Sequence, residues 1–531
     1  MQVKVSDATN SLESDNRILK GGADIEVLVT AQEAFPRLES LFLSAQTSIV
    51  MGFRLFDPRT KLLSEAARGV GDTWADLFLH TLNRGVPIDL TLSDFDPVMA
   101  PDMHEQAWTF MAILTDLNEI SAPNAAQMTV RCVLHPAKAG IVSRLMFAAK
   151  TRRELRSIAR DFNEGSEAEE RLKYLPGLGD LLSFKDGQVC VRSGALPQQY
   201  PVTLHHKMAI FDGKTTYIGG LDLNERRIDD AEHNQPAQDT WHDLQLVVHS
   251  PDVATDATVH LQNLPDVIAG KKPIKRVSSP FLTTLSRKRS RNAWHLAPKT
   301  ISDTIFKEHI AQIKRAKRFI YLESQYFRDR RIVSALVEAG KHNPDLRLLL
   351  LLPAAPEVAA FSDAPGLAGR FGEHLQARAF RRLHRTFGTR FLAVSPVQPR
   401  EPDARDTSSK RATLENAPIV YVHSKVSIFD DRAAIVSSAN LNGRSMKWDA
   451  EAGLLLSAPE QVQMLTKKIF DHWLGGETDH APDAAFDVWL DRALRNADLP
   501  AEQRRGFIVP YDRKPAAQAS IPVPGMPEEM V

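Results

Sequence analysis

The sequence predicts a two-lobed α/β protein whose halves resemble each other, and three observations predict it. First, the apolar spacing of Phe35, Leu38, Leu41 and Phe42 reads as a helix that leads into a β-branched run ending at Phe56. The same unit returns at Ile305 to Phe327, where Ala316, Ile320 and Phe327 stand 271 positions after Ala45, Ile49 and Phe56. Second, His205, Lys207 and Asp212 recur as His423, Lys425 and Asp430, each 218 positions later, in TLHHKMAIFDGKTTYIGGLDLNERR and YVHSKVSIFDDRAAIVSSANLNGRS. Third, 531 residues that are 43% hydrophobic and 25% charged give an ordinary globular composition with room for two or more domains.

In chain order, residues 1–24 form a polar stretch without the apolar segment of a secretory signal, and read as a loose arm. A first half follows at 25–269. Its strand signals include RGVPIDLTLSD, Arg84 to Asp94, and each such run is preceded by a helical pattern, as a βαβ crossover requires. The two shifts differ by 53 (271 − 218), so the first half carries that many extra residues, assigned here to a charged, helical insertion around 101–201. A lid or substrate-selecting subdomain and a structural excursion are both open readings of it. Residues 270–297 form a linker with eight basic and no acidic side chains up to Asn292, read as a solvated connector or a contact for anionic headgroups.

The second half is placed at 298–480. LRLLLLLP, Leu346 to Pro353, is too short for a bilayer span of ~18 residues and reads as a strand buried on both faces. Val462, Leu465, Ile469, Phe470 and Trp473 mark an amphipathic helix ending at a glycine pair. Residues 481–531 read as an extension with a disordered, Pro-rich tail after Pro515. Lys plus Arg equals Asp plus Glu at 66 each, so bulk charge favours neither nucleic acid nor an acidic partner. Cys132 and Cys190 alone give no disulfide framework and no cysteine metal site.

Along an extended strand His423, Lys425 and Ser427 would share one face, so an imidazole and an ammonium point into one space. Two such pairs meet the needs of phosphodiester chemistry: a nucleophile, an acid for the leaving alkoxide, and cations around the non-bridging oxygens. No metal or other cofactor is required. His206, on the opposite face with Leu204 and Met208, reads as a packed core histidine. Asp212 and Asp430, at strand ends, read as structural residues that hold turns or bind the other half.

The repeated HxKxxxxD, followed after six residues by GG or SS and then by xD or xN, resembles the duplicated signature of the phospholipase D superfamily. GGLDL, WHDLQL and SANLNGRSM are most similar to the eukaryotic-type phospholipases D and their bacterial relatives. The resemblance implies two similar α/β/α sandwich halves with mixed sheets, related by a pseudo-twofold axis, with the active site at their interface. It implies a double displacement through a phosphohistidine, with His205 attacking and His423 acting as general acid, and Lys207 and Lys425 on the phosphate. Gly220, Ser438, Asn440 and Asp222 are expected beside the substrate phosphate. Asp222 stands where the signature has Asn, and is expected to turn away or to pair with Arg226 or Arg227.

Aligning TWHDLQLVVHSP with WDAEAGLLLSAP by their closing prolines puts Asp243 on Glu451 at a shift of 208. The resemblance implies that these acids cross to the opposite motif, pairing His205 with Glu451 and His423 with Asp243, with Asp449 and Asp239 as alternatives. The activity it implies is hydrolysis of a glycerophospholipid headgroup to phosphatidic acid, with transfer to an alcohol as a further reaction. A cardiolipin-synthase-like transferase and a nucleic-acid phosphodiesterase are the alternatives. The expected partner is a phospholipid in peripheral membrane contact, with no nucleic acid, for a monomer carrying both motifs in one chain. Cytoplasmic or membrane-peripheral location is the default, with export by a signal-independent route left open.

Overall fold

The computed structural model describes residues 24–530 apart from 276, 278, 290–297, 362–365, 407–410, 477–480 and 525. Nearly all of the expected N-terminal arm therefore lies outside the described residues, as do Arg276 and Arg291 of the basic linker. The first half contributes β1 (Ile25–Val29), β2 (Ile49–Phe53), β3 (Ile88–Ser93), β4 (Met128–Val133), the hairpin β5 (Leu182–Lys185) and β6 (Gln188–Val191), β7 (Lys207–Phe211), β8 (Thr215–Gly219) and β9 (Leu244–His249). The second contributes β10 (Phe281–Arg287), β11 (Lys299–Asp303), β12 (Phe319–Glu323), β13 (Arg347–Leu351), β14 (Phe391–Pro396), the short pair β15 (Thr413–Leu414) and β16 (Ala417–Pro418), β17 (Val426–Phe429), β18 (Ala433–Ser437), β19 (Glu451–Leu456) and β20 (Ile508–Pro510).

Two mixed sheets result, β1-β9-β8-β7-β2-β3-β4 and β11-β10-β19-β18-β17-β12-β13-β14-β20. Each has a run of three parallel strands, where helices make the crossovers, and antiparallel strands where the motif hairpin sits, and in the second sheet β20 adds an antiparallel edge beyond β14. Helix Thr30–Ser44 buries Phe35, Leu38 and Phe42, and the edge-to-face packing of Phe42 on Trp74 and Phe78 fixes it under the first sheet. The leucines of β13 are buried between parallel neighbours β12 and β14, which is why that run shows no alternation. Helix Pro459–Leu474 packs Val462, Leu465, Ile469, Phe470 and Trp473 in the core and ends at Gly475 with φ 74°, a left-handed cap that glycine adopts at little cost.

The register corrects where the extra residues lie. Ile49 pairs with Ile88 and Ile320 with Leu348, so the repeat shift has fallen to 260 by β3 (348 − 88). Ile88 pairs with Met128 and Leu348 with Phe391, so it is 263 at β4 (391 − 128). Eleven extra residues (271 − 260) thus precede β3 and 45 (263 − 218) lie between β4 and β7. Helix Pro101–Ile120 and β4, expected inside the insertion, belong to the first sheet as an ordinary crossover. What remains is a small unit of helices Ile141–Met146, Ala148–Glu164 and Ala168–Tyr174 and the β5/β6 hairpin, with its own core around Leu155, Phe162 and Leu182.

Two further boundaries change. The basic linker contains β10, whose residues from Phe281 to Ser286 are buried on both faces and which pairs with β19, so a short apolar and threonine-rich run inside a charged stretch made a strand. The C-terminal extension is part of the second half. Helix Pro482–Asp498 buries Phe486 and Trp489, β20 pairs with β14, helix Lys514–Ala519 follows, and Met530 packs against Ala137, Val202 and Trp448. No helix among the described residues is long and apolar enough to cross a membrane.

Candidate active site

The halves meet through two equivalent parallel bridges, Leu204 with Ala450 and Val422 with His242. His205 N donates to Ala450 O and His423 N to His242 O, both at 2.8 Å, so each motif histidine is held by the backbone of the opposite half. The regular motif strands begin only at Lys207 and Val426, which corrects the reading of His423, Lys425 and Ser427 as one strand face. The histidines stand ahead of the strands in the bridging segments. Ser427 serves the core instead, its hydroxyl 3.0 Å from His309 Nε2.

The residue after each bridge is a buried carboxylate. His205 Nδ1 lies 2.9 Å from Glu451 Oε2, and His423 Nδ1 lies 2.6 Å from Asp243 Oδ2. An Nδ1–H donated to a carboxylate leaves the Nε2 lone pair as the reacting nitrogen. Asp449 and Asp239, the alternatives, do other work. Asp449 takes Arg444 Nε at 2.8 Å and Thr203 N at 2.9 Å, while the Asp239 carbonyl accepts from Arg226.

Ser438 and Gly220 support these carboxylates. Ser438 Oγ donates to Glu451 Oε2 at 2.5 Å, so its hydroxyl is turned from the phosphate position expected for it. At Gly220 a Cβ would lie 2.0 Å from Asp243 Oδ1, so glycine leaves the room that Asp243 occupies. Asp212 and Asp430 each accept three backbone N–H groups of their own half, from Gln46, Thr47 and Ser48 and from Lys317, Arg318 and Phe319. They fasten turns and reach neither the opposite half nor the gap.

Lys207 is wholly buried and lies 3.7 Å from Asp222 Oδ2; Arg54 Nη1 lies 3.6 Å from the same oxygen. Asp222 also accepts Leu55 N, so its partners are Arg54 and Lys207 rather than Arg226 or Arg227. The equivalent of Arg54 at the 271 shift is Gln325, whose Oε1 lies 3.3 Å from Asn440 Nδ2. One half therefore builds this corner from a charged pair and the other from two amides, and Asn440 Oδ1 is left buried without a partner. Lys425 Nζ donates to the His423 carbonyl, and Trp241 covers the His423 ring at 4.6 Å with Arg227 stacked 3.5 Å from the Trp241 ring centre. Arg54, Gln325 and Trp241 escaped the sequence reading, and Arg227, expected as a partner of Asp222, stacks on Trp241 instead. The 271 repeat that aligned Phe56 with Phe327 also carried Arg54 onto Gln325, a signal left unused.

Burial governs the charges. It drives both imidazoles well below their ordinary range, with Lys207 acting next on His205 and Lys425 next on His423. It brings Lys207 down to about 8 and Lys425 to about 7, each held up in part by a carboxylate, Asp222 and Asp243 respectively. Glu451 is pushed up to about 8 by burial, with Asp449 adding to the effect, and Asp243 is raised by burial. The site is a desolvated cationic gap suited to an anion. His206 is buried against His260, Nε2 to Nε2 at 2.8 Å, outside this set.

Residues 309–473 match a family described as cardiolipin synthase, phospholipase D-like domain. Phospholipase D zeta 1 of Arabidopsis thaliana is 29% identical over 195 residues, which cover 33% of this chain and 18% of that protein. Phospholipase D2 of Bos taurus is 25% identical over 328 residues, covering 49% of this chain and 34% of that protein. The chain thus spans about a third or less of the length of these curated relatives. A phosphatidylserine synthase structure from Haemophilus influenzae aligns over 91% of this chain and 95% of that one at 13% identity, with a TM-score of 0.46.

Proposed function

We propose that this chain, a member of the phospholipase D superfamily, cleaves the headgroup phosphodiester of a glycerophospholipid through a phosphohistidine. One observation carries the reading: two imidazoles, each with Nδ1 on a carboxylate of the opposite half, flank one gap with two buried lysines. In the first step His205 Nε2 attacks phosphorus, the P–O bond to the headgroup breaks, and the departing alkoxide takes the proton of His423 Nε2. In the second, His423 Nε2 takes a proton from water, the water oxygen attacks phosphorus, and the P–N bond breaks to release phosphatidic acid. An alcohol in place of water gives a phosphatidyl alcohol. Lys207 and Lys425 hold the charge on the non-bridging oxygens.

Both imidazoles are neutral at rest, which suits the nucleophile; the phosphate anion raises the pKa of the acid when it arrives. Asp222, held by Arg54 and Lys207, does not present a free negative charge to the substrate. A cavity between the inserted unit and the ends of β3 and β4, about 710 Å³ and lined by Trp108, Lys138, Arg192 and Tyr200 among others, supports a substrate-selecting role for the insertion. The zero net charge gives no bulk attraction for nucleic acid, and the substrate of this reading is a lipid, acted on by a monomer in peripheral contact with a membrane.

The test is product analysis with a panel of phospholipids and a nucleic-acid phosphodiester, with and without a primary alcohol. Phosphatidic acid, replaced by phosphatidyl alcohol when alcohol is present, is expected. Turnover of the nucleic-acid substrate alone would overturn the reading, and turnover only with a phosphatidyl acceptor would move it to a cardiolipin-synthase-like transferase.

A further inference from the structure

Away from the reacting gap, His233 and His242 of the first half and His472 of the second bring one ligand nitrogen each within 4.8 Å of one another. We propose that they form a site for a late divalent transition metal, zinc foremost, that fastens the two halves. His233 gives its Nδ1 to Asp229 Oδ2 at 2.6 Å, which fixes the ring and aims Nε2 at His472 Nε2, 3.1 Å away. Two nitrogens bound to one tetrahedral zinc at ~2.05 Å stand about 3.3 Å apart, so this pair already has the spacing of shared coordination.

The third histidine supplies the independent sign of a ligand. His242 is 1% exposed, and its Nδ1 is buried without a hydrogen-bond partner, while its Nε2 faces Glu323. Leaving such a group unsatisfied costs about 1–3 kcal/mol, a cost that a coordinated cation removes. Glu323 Oε1 stands 3.1 Å from His242 Nε2, and Glu323 is itself held by Ser424, Tyr321 and Trp473. Carboxylates behind two of three imidazoles, Asp229 and Glu323, are the outer partners that orient histidine ligands. Trp473 and Phe507 wall the cluster, with Trp473 4.1 Å from the His242 ring. Three imidazoles and no free hard oxygen donor select zinc, copper, nickel or cobalt over magnesium or calcium.

The position gives the ion its role. His472 lies on helix Pro459–Leu474 of the second half, while His242 receives His423 N on its carbonyl and precedes Asp243. A metal here ties that helix to the segment that orients His423, without touching the substrate. The chemistry described above remains metal-free, and its success or failure leaves this inference untouched.

The experiment takes the full chain, freed of metal with a chelator and supplied with one equivalent of zinc. Expected are one zinc retained per chain after gel filtration, a rise in Tm, and, with cobalt, the visible absorption of a tetrahedral site. His472→Ala, at the edge of the cluster, should lower zinc affinity at least tenfold and abolish the Tm rise; His233→Gln should do the same. No zinc retained by the parent chain, or retention equal in both variants, overturns the proposal.

Discussion

Two lysines held below their free pKa make substrate binding a proton-linked event. Burial places Lys425 at about 7 and Lys207 at about 8, and a bound phosphodiester raises both, so binding takes up protons in that window. KM should therefore climb as pH passes from 7 to 9, up to about tenfold per pH unit for each lysine titrated, with kcat less affected. A flat KM across that range would contradict it. The histidines separate by a different measurement. A nitrophenyl phosphodiester needs little acid in the first step, so His423→Ala should accumulate an acid-labile phosphoenzyme on His205, while His205→Ala forms none. On a phospholipid, with its poor leaving group, His423→Ala should lose about 10²–10⁴-fold in kcat. Phosphate found on His423 by mass spectrometry would exchange the two roles. The spacing of the duplicated motif named the histidines and lysines that the fold gathers at the gap. It did not place Trp241 on His423, Arg227 on Trp241 or Arg54 on Asp222, because those meet only through tertiary approach.

At the scale of elements, the two motif aspartates show how a strand end is fixed. Asp430, at φ 55°, closes its turn and gathers the N–H groups of Lys317, Arg318 and Phe319 at the start of β12. Asp430→Ala should destabilise the chain by about 2–3 kcal/mol in chemical denaturation, since it orphans three donors and strains a left-handed residue. Asp430→Asn, which keeps one acceptor and tolerates that φ, should cost less, and activity per folded molecule should change in neither. Long periodic elements such as helix Pro459–Leu474 and the apolar run of β13 were legible because their burial follows from local pattern. The strand inside the basic linker and the packed C-terminal segment were not. Lys288 and Arg289 hide the fully buried run of β10, and Met530 finds its place only through tertiary contact with Ala137, Val202 and Trp448.

For the whole molecule, the crossing of carboxylates makes each half incomplete without the other. Asp243 sits in the first half but its oxygen lies 2.6 Å from the second half's His423, and Glu451 does the reverse for His205. The repeat at shift 208 exposed this pair in the sequence, whereas the three-histidine cluster had no spacing to betray it, since positions 233, 242 and 472 converge only when the halves dock. The crossing has a kinetic consequence that proximity in the chain would not suggest. Asp243→Ala, a change beside no motif of its own half, should reproduce the His423→Ala pattern: a phosphoenzyme trapped on His205 with the nitrophenyl substrate and slow turnover of phospholipid. Glu451→Ala should approach His205→Ala, with little trapped species, because the attacking imidazole loses its carboxylate acceptor and keeps only the Ser438 carbonyl, 3.1 Å from Nδ1. Combining Asp243→Ala with His423→Ala should cost little beyond the single change and keep the phosphoenzyme on His205, whereas Glu451→Ala with His423→Ala should lose it. A phosphoenzyme lost in Asp243→Ala and kept in Glu451→Ala would mean that the carboxylates act within their own halves, and the interlobe reading of the site would fall with it.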